Sequence, residues 1–194
     1  MMRFIWHSLV ILLLTLVSQI GGLAWAIALL ARGRGLATFL VAFLVIYTGL
    51  WTATRLVAPT MGRVAVPCID NGPTWARGQS PLFCALNRTY VTPELADTLD
   101  ALAAHMHAQF PGTRTRVLDA SFPFTNLPLL PHLSHDDGKK ADLSFWYEGG
   151  SWRSPIGYWA FEDPGNAAQL CGASGGFSMR WDMNWLQPIM RSLV

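Results

Sequence analysis

The first 69 residues contain no Asp or Glu, and between Phe4 and Ala31 the only side chain able to carry a charge is His7. That uncharged run, FIWHSLVILLLTLVSQIGGLAWAIALLA, is 28 residues long, where a helix needs about 20 apolar residues to cross a hydrocarbon core. A second uncharged run, GLATFLVAFLVIYTGLWTAT, covers 35–54 and is also of spanning length. Arg32-Gly33-Arg34 separates them as a short polar turn. The pattern predicts two N-terminal transmembrane helices, a hairpin over 1–60 with spans at about 4–31 and 35–57, in contact with membrane lipid. A cleaved signal peptide fits less well, because its apolar region is about 7–15 residues long. Gly21, Gly22 and Gly49 would let helix backbones approach closely. His7 and Gln19 are better read as packing residues than as an intramembrane polar site.

Residues 64–194 have a different character and are long enough for one small domain. All 12 acidic residues lie there, together with His105, His107, His132 and His135. The net charge of +2 and the lack of a basic cluster with interleaved aromatics argue against a nucleic-acid partner. Two spans place both termini on one side of the membrane, and charge bias is nearly silent about which side. Arg32 and Arg34 in the turn are opposed by Arg3, Arg55 and Arg63. The cysteines are more informative. Cys68 and Cys84 flank IDNGPTWARGQSPLF, a segment rich in Gly, Pro and Asn, and closing such a loop with a disulfide contributes about 3 kcal/mol. A bridge there implies an oxidising compartment, hence the periplasm or the cell exterior. Cys171 is then left over.

The segment VTPELADTLDALAAHMHAQF, residues 91–110, predicts a helix. Thr92 is its N-cap, Pro93 its first helical residue, and Leu95, Leu99, Leu102 and Met106 recur at helical spacing. Residues 115–122, 141–147 and 156–162 read as strands, and the Pro-rich stretch 123–140 as a loop. Residues 163–177 are Gly-rich and read as irregular, while 177–190 reads as one more strand or a short helix. One helix followed by hairpin-connected strands predicts an α+β domain with a mainly antiparallel sheet.

The stretch SHDDGKKAD, residues 134–142, carries the chemistry. It places His135 seven positions before Asp142 with Gly138 between them, so that a tight turn brings an imidazole and a carboxylate to one point. Both groups suit zinc, at about 2.0–2.2 Å. By spacing alone, the ordinary reading is a solvated polar loop. Helix, strand, Pro-rich loop, Ser134-His135-x-x-Gly138-x-x-x-Asp142, then strand resembles the zinc segment of the LAS metallopeptidases, over about residues 90–147. That group includes the penicillin-insensitive murein endopeptidase and D-alanyl-D-alanine carboxypeptidases. The resemblance implies that His135 and Asp142 are two zinc ligands, with a peptidoglycan peptide as substrate or ligand. It also implies that bound zinc polarises a peptide carbonyl and lowers the pKa of water. Ser134 would add a hydrogen bond beside the ligands, and the setting implied is a multi-pass protein of the bacterial inner membrane with a periplasmic domain.

The pattern departs from that family in two respects: the arginine expected near the strand before the loop is absent from LDASFPF, leaving Arg114 and Arg116 as imperfect candidates, and the later histidines are missing. The third ligand and general base come from a later His-x-His pair, and this chain has no His after His135. His105 and His107 sit upstream in the predicted helix and point about 200° apart. His132, three before His135, is the remaining histidine of the loop. These departures lead to the expectation of a shortened metallopeptidase whose activity is in doubt. The alternative is a non-catalytic membrane protein that binds peptidoglycan or a protein partner. For that, Trp146, Tyr147, Trp152, Tyr158, Trp159, Trp181 and Trp185 supply aromatic surface, although aromatic residues more often fill a core.

Overall fold

The computed structural model describes residues 2–69, 71–124, 126–127, 129–130 and 134–144, together with the backbone of 161–162, 167–170 and 178–180. The chain begins with helices α1 (Met2–Ser18) and α2 (Gly21–Ala28), then a 3-10 turn at Leu29–Arg34. Helix α3 (Leu36–Val57) follows and runs on through a second 3-10 turn, Ala58–Met61. Among the described residues, Leu36–Met61 is the one helix long and apolar enough to cross a membrane, at 26 residues.

The first apolar run, expected as a single span over 4–31, is broken in two. Gln19 adopts φ 62°, the left-handed region, and the chain reverses there. Helix α2 then packs back along α1. The Trp25 indole N–H donates to His7 Nδ1 at 3.3 Å. A Cβ on Gly21 would stand 2.6 Å from Ser18 Oγ, and one on Gly22 would stand 2.5 Å from the Ile11 carbonyl. Only glycine allows so close an approach. The Gly21 N–H donates to Ser18 Oγ at 3.0 Å, satisfying a donor that the break would otherwise expose. Hydropathy does not register such a break, because the tip residues are themselves uncharged. Gly49, by contrast, faces open space.

The domain is α+β. Strand β1 (Val64–Ala65) pairs antiparallel with β3 (Tyr90–Val91), and β2 (Arg77–Gly78) pairs parallel with β4 (Arg116–Val117). Residues 115–121 form the spine of this sheet. One margin bonds β2 and Tyr90, and 142–144 run antiparallel to 116–119 through Leu118 N to Asp142 O, Asp142 N to Asp119 O and Ser144 N to Arg116 O. Helix α4 (Pro81–Ala85) starts at Ser80, whose hydroxyl accepts from the Leu82 N–H at 3.2 Å. Helix α5 (Pro93–Gln109) starts where predicted, with Thr92 Oγ1 accepting from Leu95 N at 3.3 Å. Its buried stripe is Leu99, Ala103 and Met106, with Ala103 rather than Leu102 facing the sheet. Leu99 and Ala103 join Val66, Ala76, Val91, Val117 and Ala120 in the core.

A second, antiparallel sheet contains β5 (Phe161–Glu162), β6 (Ala167–Leu170) and β7 (Ser178–Arg180). The expectation that 163–177 is irregular fails at 167–170. Ala167, Ala168 and Gln169 have little strand propensity, and β6 is set by pairing on both margins. The aromatic residues proposed as a groove, Trp146, Tyr147, Trp152, Tyr158, Trp159, Trp181 and Trp185, lie outside the described residues, as does Cys171.

The domain sits against the second half of α3. The Tyr47 hydroxyl donates to the Ala85 carbonyl at 2.6 Å and the Trp51 indole N–H to the Cys84 carbonyl at 2.8 Å. The Arg55 guanidinium lies 4.3 Å over the Trp51 ring and donates to Cys68 Sγ at 3.1 Å. Cys68 and Cys84 are joined by a disulfide, with their Cα atoms 6.0 Å apart.

Tyr90 on β3 is fully buried, and among the described residues its hydroxyl has no hydrogen-bond partner. Burial pushes its pKa up to about 12, with nearby Arg55 pulling weakly the other way. A phenol with a raised folded-state pKa binds its proton more tightly in the native than in the unfolded chain. Stability is therefore full below the ordinary tyrosine pKa, about 10, and falls as pH rises toward about 12. In denaturant titrations across that window, Tyr90→Phe is expected to flatten the loss. An unchanged slope would rule Tyr90 out as its source.

Candidate metal centre

The 134–144 segment is positioned from three directions. Gly138 takes φ 73°, which turns the chain so that His135 and Asp142 face each other. The Gly138 carbonyl accepts from the Thr92 N–H at 2.9 Å, tying the turn to the cap of α5. Inside the loop, Lys139 N donates to Asp137 Oδ1 at 2.9 Å and Lys140 Nζ to the Ser134 carbonyl at 2.8 Å. The first of these bonds, ahead of the neighbouring lysines, holds the Asp137 carboxyl below its ordinary pKa.

The third support was not legible in the sequence. Arg63, two residues past the end of the helix that contains α3, is buried and reaches under the loop. Its Nη2 donates to Asn126 Oδ1 at 3.1 Å and to the Asp136 carbonyl at 3.2 Å. Its guanidinium fills the space a side chain at Gly138 would need, with Cζ 2.6 Å from the position of a Cβ. Arg63 thus links the end of the membrane-type helix to the turn between the two candidate ligands.

His135 Nε2 lies 3.2 Å from Asp142 Oδ1. His135 is buried, with 6% of its side chain exposed, while Asp142 keeps 29%, so one side of the pair is open. Two ligand atoms on a tetrahedral zinc, each about 2.1 Å from the metal, stand about 3.4 Å apart. The observed separation fits that bite and equally fits a direct histidine–carboxylate contact. The backbone of Asp142 is held on both sides, by Leu118 at 2.8 Å and by Asp119 at 2.7 Å. Asp119 in turn pairs with Arg88 through two bonds, Nε to Oδ1 at 2.8 Å and Nη2 to Oδ2 at 2.6 Å, and Arg88 Nη2 also reaches the Leu130 carbonyl at 2.7 Å. This buried pair stiffens the strand that presents Asp142.

The remaining candidates are placed as follows. Ser134 is exposed and meets the loop through its carbonyl. Arg116 is buried on β4, its carbonyl accepting from Ser144 N at 2.9 Å. Arg114 is half-buried in the connection before β4. His105 and His107 lie near the far end of α5, whose cap holds the loop, so His105 is about 20 Å along the helix axis from Thr92. His132 lies outside the described residues. Among the described residues, no group of three His, Cys, Asp or Glu side chains converges on one point.

No protein-family description, curated protein or solved structure matches the chain.

Proposed function

We propose that the chain is a membrane-anchored, LAS-type metallopeptidase-like protein acting on peptidoglycan peptides, with zinc at His135 and Asp142. The observation that carries this reading is the 3.2 Å approach of an imidazole nitrogen and a carboxylate oxygen across a glycine turn, with the carboxylate edge open. His135 supplies Nε2 from a buried ring, 6% of whose side chain is exposed. Asp142 supplies an oxygen from a backbone fixed by two hydrogen bonds. Zinc held there would polarise a peptide carbonyl and provide a nucleophilic water. The third ligand comes from outside the described residues or from a partner. The Cys68–Cys84 disulfide supports an oxidising compartment, and this reading puts the domain in the periplasm of a bacterial cell.

A second reading is favoured by the directness of the same contact. His135 and Asp142 already satisfy each other at 3.2 Å, as they would in a structural pair of a non-catalytic domain that binds peptidoglycan or a protein. Metal analysis of the full chain in detergent separates the two readings. The first expects about one zinc per chain, lost in both His135→Ala and Asp142→Ala. Zinc that survives both substitutions, or a wild-type chain that takes up none, sinks the metal assignment.

A further inference from the structure

We infer that α1 and α2 form a hairpin inside the bilayer with both ends on the cytoplasmic face. The chain then passes from one face to the other through α3, and its N-terminus and its domain lie on opposite sides. The surface concerned is the apolar exterior of the three helices, and its partner is lipid acyl chains.

The helix directions follow from contacts along their length. His7 meets Trp25, and the Gly21–Gly22 start of α2 lies against Ile11, Leu14 and Ser18 of α1, so α2 runs antiparallel to α1. Trp25 packs edge-on against Phe39 and Phe43 of α3, with ring centroids 4.8 and 5.6 Å apart. The 29–34 turn joins α2 to α3, so the two run antiparallel and the Ser18–Ile20 tip lies beyond Trp25, further along α3. Met2, the turn at 29–34 and Leu36 therefore share one end. The Ser18–Ile20 tip lies toward the other end, where Tyr47 and Trp51 bond the domain.

Length and surface fit a bilayer. Helix α1 measures about 25 Å, and α2 with its 3-10 extension about 24 Å. Both are slightly short of a hydrocarbon core of about 30 Å, a mismatch that local thinning accommodates. Most outward-facing positions are apolar: Leu9, Leu12, Leu13 and Leu16 on α1, and Leu40 and Leu44 on α3, are all between 38% and 62% exposed, with Ser8 and Thr38 as exposed polar exceptions. On α3 Thr48 and Thr52 interrupt this stripe beside Tyr47 and Trp51, aromatic residues with polar edges of the kind found at an interface, and exposed Leu56, Val57 and Met61 lie beyond them.

Orientation follows from charge. In a two-span arrangement the larger set of arginines, Arg3, Arg55 and Arg63, would sit beside the domain. The positive-inside rule would then draw the domain to the cytoplasm, against the disulfide. With α1 and α2 folded back, Arg3, Arg32 and Arg34 share one end, and only Arg55 and Arg63 remain on the domain side. Charge and disulfide then agree. This topology does not depend on the zinc reading.

The test is thiol labelling of the full chain in the inner membrane of a Gram-negative host, with Cys171→Ser as background and a membrane-impermeant maleimide. Single variants Met2→Cys, Gly33→Cys and Ala104→Cys report on the N-terminus, the turn and the domain. The expected result is labelling of Ala104→Cys from the periplasm, with Met2→Cys and Gly33→Cys labelled only after the membrane is broken. Periplasmic labelling of Met2→Cys together with Ala104→Cys overturns the hairpin, and protection of Ala104→Cys overturns the orientation.

Discussion

Asp119→Ala is expected to cost the domain about 3–5 kcal/mol, because it leaves the Arg88 guanidinium buried without its carboxylate. Asp119 is 1% exposed and Arg88 8%, and two bonds of 2.6 and 2.8 Å join them. With total stabilities of about 5–15 kcal/mol, such a loss removes much of the margin. A thermal melt of the full chain in detergent should move down by about 10 °C or more. The effect should reach the candidate metal centre, since the Asp119 carbonyl accepts from the Asp142 N–H at 2.7 Å. Removing both charges in Arg88→Met/Asp119→Leu should recover part of the loss, because no unpaired ion then remains. A double variant less stable than Asp119→Ala alone would show that the pair is not the source of the effect.

The second large effect is expected at Gly138. Its φ of 73° disfavours any residue with a Cβ, and that Cβ would also displace the Arg63 guanidinium. The conformational penalty is about 1–2 kcal/mol. Breaking the Arg63 bonds to Asn126 and Asp136 adds about 1–3 kcal/mol. Gly138→Ala should therefore destabilise the domain by about 2–5 kcal/mol in urea titrations. Gly112→Ala is the internal comparison. Gly112 has φ 93° and nothing within 4 Å of a Cβ position, so it should cost only the conformational part. Equal losses at the two glycines would mean that Arg63 does not clamp the loop. A double-mutant cycle with Arg63→Ala should be strongly non-additive, since both changes remove the same contact.

These two sites also show how much the sequence disclosed. The turn at Gly138 was legible because a glycine between His135 and Asp142 is a local signal, and their 3.2 Å approach requires little beyond that turn. The Arg63 clamp was not legible, because it joins residues 63 and 73 positions apart. The Arg88–Asp119 pair spans 31 positions, and nothing local distinguishes either residue from a solvated surface charge. The same contrast holds for the helices. Helix α5 was found nearly to the residue because Thr92 and Pro93 act within one turn. The break at Gln19 was missed because it depends on α2 finding a partner in α1.

By itself the sequence determined what short-range chemistry controls: the uncharged N-terminal segments, the capped helix α5, and the glycine turn that brings an imidazole toward a carboxylate. Tertiary structure decided the fold-back of α1 on α2, the docking of the domain on Tyr47, Trp51 and Arg55, and the buried arginines that hold the site. The physical reason is that caps and turns are satisfied by neighbours along the chain. A buried guanidinium or a close glycine contact is stable only once a distant segment has closed around it.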